Sequence, residues 1–182
     1  FGLPDTSPDF SLNGSVLFNT FTFISVVILA PIFEELIFRG MILNALTKYN
    51  KMFAIIVTSL LFGLLHLNIT QAIPAFFMSL VLCYMYVQTD SILITILAHA
   101  GNNFLALMSA YSNHILITVL VLALVIYGLI TIILKSKEVN AFIKEEKTNE
   151  NWYARFFKQI PNLLYLIFTI LWIIISLFIN MF

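Results

Sequence analysis

The feature that most constrains this chain is a series of long apolar runs interrupted by few charged residues. A helix needs roughly 20 apolar residues to cross a hydrocarbon core about 30 Å thick. Of the 182 residues, 61% are hydrophobic and 10% are charged. In soluble domains, about 45–50% of the residues are apolar and about 25% are charged. Inside a bilayer, only helices and closed barrels satisfy their own backbone groups. The runs therefore predict an all-α, polytopic membrane protein.

We predict about six transmembrane helices that form a bundle around an intramembrane polar cavity. The predicted helices cover residues 15–49, 51–67, 71–88, 91–111, 114–135 and 162–182. The first is too long for one straight crossing, and we expect Pro31 to kink or restart it, because proline removes a backbone donor. Five helices thus form a core over residues 15–135.

The segments on either side of the core are predicted to lie outside the membrane. Residues 1–14 are expected to be an extracytoplasmic flank, and because the chain begins with Phe1 and not Met, we expect further helices upstream. Residues 136–161 are expected to be a polar loop before the last helix. The alternative for part of this loop is an amphipathic helix that lies in the membrane surface near Trp152.

The basic residues predict an orientation, because lysine and arginine accumulate in cytoplasmic loops. Eight of the nine fall at Lys48, Lys51 or within residues 135–158. We therefore expect these two connections to be cytoplasmic, and the Phe-, Ile-, Asn- and Lys-rich composition favours a bacterial plasma membrane. Nine acidic residues balance the nine basic ones, so no basic excess is present to bind nucleic acid.

A few ionisable or polar residues remain inside the predicted spans: Glu34, Glu35, Arg39, His66, His99 and Asn103. A charge at the bilayer centre costs about 2.5–3.5 kcal/mol on insertion scales, so such residues mark functional sites by default. At about 1.5 Å per residue, they lie roughly 13–22 Å from the cytoplasmic ends of their helices. Three helices thus place polar groups at similar depth, which predicts one shared site in a water-filled cavity.

Spacings of four residues put several of these side chains on common helix faces. Glu35 and Arg39 are expected to form an ion pair, while Glu34 points elsewhere. The ring of Phe62 is expected to cover one face of the His66 imidazole. The small residues beside the site, Gly63 and Gly101, are expected to let neighbouring helices approach closely.

Three motifs stand in order on successive apolar helices. Residues 34–39 read EExxxR, residues 62–66 read FxxxH, and residues 99–103 read HxxxN. Together they resemble the CPBP family of intramembrane proteases, which includes CAAX-prenyl endopeptidases and bacteriocin-processing and abortive-infection proteins. The resemblance covers residues 15–111, and it makes residues 15–135 a protease core.

The resemblance implies an endopeptidase that hydrolyses a peptide bond of a membrane-associated peptide or a lipidated protein. In the version that we favour, Glu34 and His66 activate the attacking water. His99 and Asn103 then donate to the developing oxyanion, where preorganised donors help most. Glu35, Arg39 and Phe62 support these groups.

Metal dependence is left open by the sequence. The favoured, glutamate-type version requires no cofactor. In the metalloprotease version, Glu34, His66 and His99 bind zinc, with water in the fourth position. The HExxH motif, which is the strongest local zinc signal, is absent.

Two other functions use the same residues. A non-proteolytic scaffold or immunity protein with this fold would tolerate degenerate motifs, whereas the motifs here are intact. A proton or ion pathway would need polar residues across the outer half of the helices, which is nearly all apolar. The sequence does not specify the substrate or the oligomeric state.

Overall fold

The structure, a computed structural model, describes residues 14–111, 133–145 and 151–179, together with single helical positions at 115, 119, 123, 126 and 130. Every regular element in these residues is helical, which confirms the all-α prediction. Seven helices have defined bounds: α1 Val16–Thr47, α2 Lys51–Leu65, α3 Ile69–Thr89, α4 Ile92–Tyr111, α5 Ser136–Glu145, α6 Trp152–Phe157 and α7 Ile160–Ile179.

Three helices are long and apolar enough to cross a membrane by length and composition: α1, α3 and the segment Ile92–Ser109 of α4. The prediction of a polytopic membrane protein is confirmed by these helices. Helix α2 is apolar but has 15 residues, or about 22 Å, which is shorter than the predicted span. The predicted fifth helix at residues 114–135 lies mostly outside the described residues.

Helix α1 continues through Pro31 and does not restart there. On either side of this proline, the helix contains π-helical segments, Ile24–Leu29 and Leu36–Leu43. In the first of them, the N–H of Ala30 donates to the carbonyl of Ser25, five residues back. A π turn widens the helix locally, and such turns occur frequently at functional sites.

The stretch expected to be a polar loop contains two helices, α5 and α6. In α5, Glu138 lies in the first turn and Lys144 in the last, where each charge interacts favourably with the helix dipole. Helix α6 begins after Asn151, whose side chain accepts a hydrogen bond from the N–H of Ala154 at 3.0 Å. Such a cap satisfies one of the backbone donors at a helix start.

The chain divides into two compact units, each described here by itself. In the first unit, residues 36–92 and 151–179, a tight turn joins α2 to α3. Leu67 adopts a left-handed conformation with φ of 53°, and the side chain of Asn68 caps α3. The core of this unit contains Phe38, Phe62 and Ala75.

The two glycines that were expected to permit close packing behave differently. A Cβ added at Gly63 would lie 2.8 Å from the carbonyl oxygen of Ala72 and 3.1 Å from Cβ of Phe76, so α2 and α3 approach closely there, as predicted. A Cβ at Gly101 would meet none of the described atoms within 4 Å. The expectation for Gly101 is therefore wrong within the described residues.

We expect Gly63→Ala to destabilise the protein by about 1–3 kcal/mol, because the added methyl group overpacks a contact with backbone. The matched control is Gly101→Ala, which adds the same methyl group in open space and should be neutral or stabilising by up to about 1 kcal/mol. Thermal unfolding of both variants in detergent measures the difference. Equal shifts in melting temperature would contradict the role of Gly63 as a packing position.

Candidate active site

The centre of the candidate site is His99 of α4, in the unit formed by residues 14–35 and the described residues from 93 to 145. Its Nδ1 lies 2.8 Å from Oε1 of Glu35, and its Nε2 lies 3.7 Å from Oε2 of Glu34. The side chains of His99 and Glu35 are 2% and 0% exposed, whereas that of Glu34 is 28% exposed. The two adjacent carboxylates thus flank one imidazole, and Glu34 is the more accessible of them.

The Glu35 contact determines what the His99 ring can do. With Glu35 ionised, Nδ1–H donates to its carboxylate, because an ionised carboxylate is only an acceptor. A partner of this kind fixes the orientation and tautomer of an imidazole. Nε2 then faces Glu34, where it can accept a proton or, in a doubly protonated ring, donate one. The contact therefore directs the chemistry of His99 to one nitrogen.

Asn103, one turn after His99, compensates a defect in α1. Its Nδ2 donates to the carbonyl oxygen of Val26 at 3.0 Å. In an α-helix, the carbonyl of Val26 would accept from the N–H of Ala30, but the N–H of Ala30 donates to the carbonyl of Ser25. In a π-helix it would accept from residue 31, which is proline and has no N–H. Asn103 thus gives the carbonyl of Val26 a donor that neither the α-helical nor the π-helical pattern supplies.

His66 lies at the end of α2, in the unit formed by residues 36–92 and 151–179. Its Nδ1 lies 3.0 Å from the carbonyl oxygen of Phe62. A carbonyl oxygen only accepts, so Nδ1 carries the proton and the Nε2 of a neutral ring is the acceptor. The predicted ring contact is present, with the centroids of Phe62 and His66 5.2 Å apart in an edge arrangement.

Arg39 is fully buried in the same unit. Its Nη2 donates to Oγ of Ser79 at 2.9 Å, and its guanidinium carbon lies 5.0 Å from the centroid of the Phe62 ring. Phe62 therefore contacts both a cation and the imidazole of His66, and its supporting role in catalysis stays a prediction. The Glu35–Arg39 ion pair stays a prediction.

Sequence reasoning missed Ser79 as a partner of Arg39. The available signal was a hydroxyl in the otherwise apolar middle of α3. Of the predicted site residues, one unit contains Glu34, Glu35, His99 and Asn103, and the other contains Arg39, Phe62 and His66. Within each unit, the structure brings these residues into the contacts described above.

Residues 16–105 match the family model described as type II CAAX prenyl endopeptidase Rce1-like. All three motifs lie within the matched residues. This part of the chain is similar to the CPBP family, to which the resemblance of the three motifs also points. Similarity to a curated protein agrees with that assignment: "Putative membrane peptidase YdiL" of Bacillus subtilis (strain 168) is 35% identical over 83 residues, which are 44% of this chain and 34% of that protein. The chain thus aligns with about a third of this relative's length. No solved structure matches the chain significantly.

The metalloprotease version of the chemistry needs a set of zinc ligands. A catalytic zinc site needs three protein ligands and an open position. No group of three or more His, Cys, Asp or Glu side chains that could hold a metal ion occurs in the part of the chain that the structure describes. Metal dependence stays a prediction, and the chemistry proposed below uses side chains and water.

We expect Asn103→Ala to destabilise the fold by about 1–3 kcal/mol, because the carbonyl of Val26 loses its donor. Pro31→Ala restores a backbone N–H five residues after Val26, so Asn103→Ala should cost less in that background. A double-mutant cycle measured by unfolding in detergent gives the coupling.

The control for this cycle is Ser109→Ala, which removes an exposed side-chain donor to the carbonyl of Leu105 in the same helix and should show no coupling to Pro31→Ala. Strictly additive effects of Pro31→Ala and Asn103→Ala would contradict the compensation of Val26 by Asn103.

Proposed function

We propose that this protein is an intramembrane endopeptidase that hydrolyses a peptide bond in a membrane-associated peptide or a lipidated protein. The observation that carries the proposal is His99 between Glu34 and Glu35, with two of the three side chains almost fully buried. Ionisable groups in apolar helices mark functional sites. The family match over all three motifs and a relative named as a membrane peptidase support the same reaction class.

In the proposed reaction, Glu34 is the general base. Its partial exposure leaves the carboxylate accessible to water, while Glu35 is committed to His99. Glu34 takes a proton from water as the water oxygen bonds to the carbonyl carbon of the substrate. His66 assists through Nε2, the acceptor nitrogen of its neutral ring. The peptide C–N bond then breaks, and the proton on Glu34 passes to the leaving amine.

In the same reaction, the proposed oxyanion donors are His99 and Asn103. His99 is proposed to donate through Nε2 in its doubly protonated form, in which Nδ1–H is held by Glu35. Asn103 has two amide hydrogens, of which one is donated to Val26 and the other is proposed to reach the oxyanion. Fixed donors of this kind stabilise the charge that develops in the transition state, without reorganisation.

The substrate classes follow from the membrane setting. A prenylated protein tail, a leader peptide or another membrane-associated peptide would approach a site built within apolar helices. A prenylated tail further requires a host that prenylates proteins. We propose that the protein lies in a bacterial plasma membrane, with Lys48, Lys51 and the 135–158 segment on the cytoplasmic side.

We expect Glu34→Gln and His66→Ala each to lower the rate of peptide hydrolysis by about 10²- to 10⁴-fold, the usual contribution of general acid–base catalysis. His99→Ala should lower it by about 10²- to 10³-fold, the usual effect of removing an oxyanion donor. Mass spectrometry of membrane-associated peptides from cells with the wild-type or the Glu34→Gln protein identifies the substrate. Rates are then measured on that peptide with purified protein.

The control variant is Glu138→Gln, which removes an exposed carboxylate paired with Lys135 and should keep the wild-type rate. Thermal unfolding of each variant separates loss of catalysis from loss of fold. Folded variants that all retain the wild-type rate and phenotype would remove the protease function and leave a scaffold.

We expect full activity after exhaustive chelation, because the proposed steps use Glu34, His66, His99 and water alone. The measurement is the hydrolysis rate before and after chelator treatment, with metal content determined by elemental analysis. Loss of activity on chelation, restored by zinc and not by calcium, would overturn the metal-free mechanism while keeping the peptidase function.

A further inference from the structure

The middle of α3 contains a fully buried serine, Ser79, in the unit of residues 36–92 and 151–179. Nη2 of Arg39 lies 2.9 Å from its Oγ and 3.4 Å from its carbonyl oxygen. A guanidinium only donates hydrogen bonds, so both oxygens of Ser79 are acceptors. One residue of α3 thus gives the cation on α1 two acceptors.

Burial gives this contact its strength. Arg39 and Ser79 are both 0% exposed, and hydrogen bonds strengthen electrostatically where water is excluded. Hydrogen bonds from a charged donor are also roughly twice as strong as those between neutral groups. The side chain of arginine has many rotamers, so a strong contact at its tip decides which of them it adopts. Ser79 therefore fixes the direction of the Arg39 guanidinium.

The guanidinium in turn contacts the ring of Phe62. The guanidinium carbon of Arg39 lies 5.0 Å from the centroid of this ring, a distance at which a cation is attracted to an aromatic face. The ring of Phe38 contacts Phe62 in an edge arrangement, with the centroids also 5.0 Å apart. Phe62 is itself 0% exposed. A cation and a second ring thus fix the orientation of the Phe62 side chain.

Two contacts orient the imidazole of His66, and Phe62 makes both of them. Its carbonyl oxygen accepts from Nδ1 at 3.0 Å, and its ring lies 5.2 Å from the imidazole, centroid to centroid. The carbonyl selects the protonated nitrogen, and the ring restricts the rotation of the imidazole. A displaced Phe62 ring would therefore leave His66 with its hydrogen bond but without a fixed orientation of Nε2.

From this series of contacts we infer that Ser79 is a positioning residue for His66, which acts through Arg39 and Phe62. The inference rests on the proposed function, in which Nε2 of His66 assists the attack of water. Ser79 does not touch the reacting atoms in that reaction. It fixes the guanidinium that restrains the ring beside the imidazole, and this makes α3 a part of the active site.

A purely structural serine would behave differently. If Ser79 only compensated a buried cation, its loss would lower the melting temperature, while the environment of His66 in the folded protein stayed the same. A positioning residue changes that environment in protein that is still folded. The test therefore observes the His66 imidazole directly and does not depend on peptidase activity.

The first measurement is nuclear magnetic resonance of protein in detergent, labelled with ¹³C and ¹⁵N in histidine. The chain has three histidines, and the variant His66→Gln assigns the signals of His66. We expect Ser79→Ala to shift these signals, because the magnetic shielding from the Phe62 ring depends on its distance and angle to the imidazole. Unshifted signals in folded Ser79→Ala would overturn the proposal.

The matched control is Ser59→Ala, the loss of an equally buried hydroxyl. Oγ of Ser59 donates to Sγ of Cys83 at 3.7 Å, and Oγ of Ser79 lies 3.8 Å from the same sulfur. The control thus removes a hydroxyl from the same neighbourhood and keeps the contact between Ser79 and Arg39. It should leave the His66 signals in place, and an equal shift in both variants would overturn the proposal.

The second measurement is the hydrolysis of the peptide substrate. We expect Ser79→Ala to lower kcat by about 10- to 100-fold with little change in KM, because a misplaced catalytic group slows the reaction without weakening substrate binding. Ser59→Ala should keep both constants. Wild-type kcat in folded Ser79→Ala would overturn the proposal. A wild-type protein without hydrolytic activity would overturn the proposed function instead, and the His66 signals would still decide the role of Ser79.

A double-mutant cycle tests the route through the cation. In an Arg39→Met background, Ser79→Ala should cause no further loss of kcat and no further shift of the His66 signals, because the acceptor no longer has a cation to orient. Equal effects in both backgrounds would overturn the route. If Ser79→Ala does not fold, Ser79→Cys takes its place with the same expected results, since sulfur is a weak acceptor on a side chain of similar shape.

Discussion

The arrangement of this protein depends on compensating ionisable side chains that are buried among apolar helices. A buried charge without a partner costs several kcal/mol, and Glu35, Arg39 and His99 are all nearly inaccessible. Glu35 is held against His99, and Arg39 is held against Ser79 and the face of Phe62. Each contact fixes the rotamer of a side chain that the motifs single out, so the same compensation that permits burial also orders the candidate site.

The lengths of the apolar runs in the sequence predicted much of the fold. The bounds of α1, α3 and α4 lie within about two residues of the prediction, because long periodic segments are the most reliable signal in a sequence. The prediction was poorer for residues 136–161. Their charge suggested a loop, but charge alone does not distinguish solvated coil from an exposed helix. The asparagine before Trp152 and the charge order in α5 were the local signals for helices there.

The candidate site was predictable in its residues and less so in its contacts. Spacing of four predicted the contact of Phe62 with His66, since both lie on one turn. Spacing cannot predict that Ser79 accepts a hydrogen bond from Arg39, because that contact depends on how two helices pack. The same limit explains the two glycines. Gly63 faces the backbone of α3 and Gly101 faces no described neighbour, although both looked equivalent in the sequence.

The π-helical segment before Pro31 has a consequence for how the sequence of this protein can change during evolution. The carbonyl of Val26 lacks a backbone donor because its α-helical donor bonds elsewhere and its π-helical donor is proline. Both conditions depend on counting residues from Val26 to Pro31 and not on which side chains stand between them. Conservative exchanges within that stretch would leave the arrangement intact. A single insertion or deletion would rotate the glutamates by about 100° relative to the preceding turn, so tolerance to length change should be far lower than tolerance to substitution.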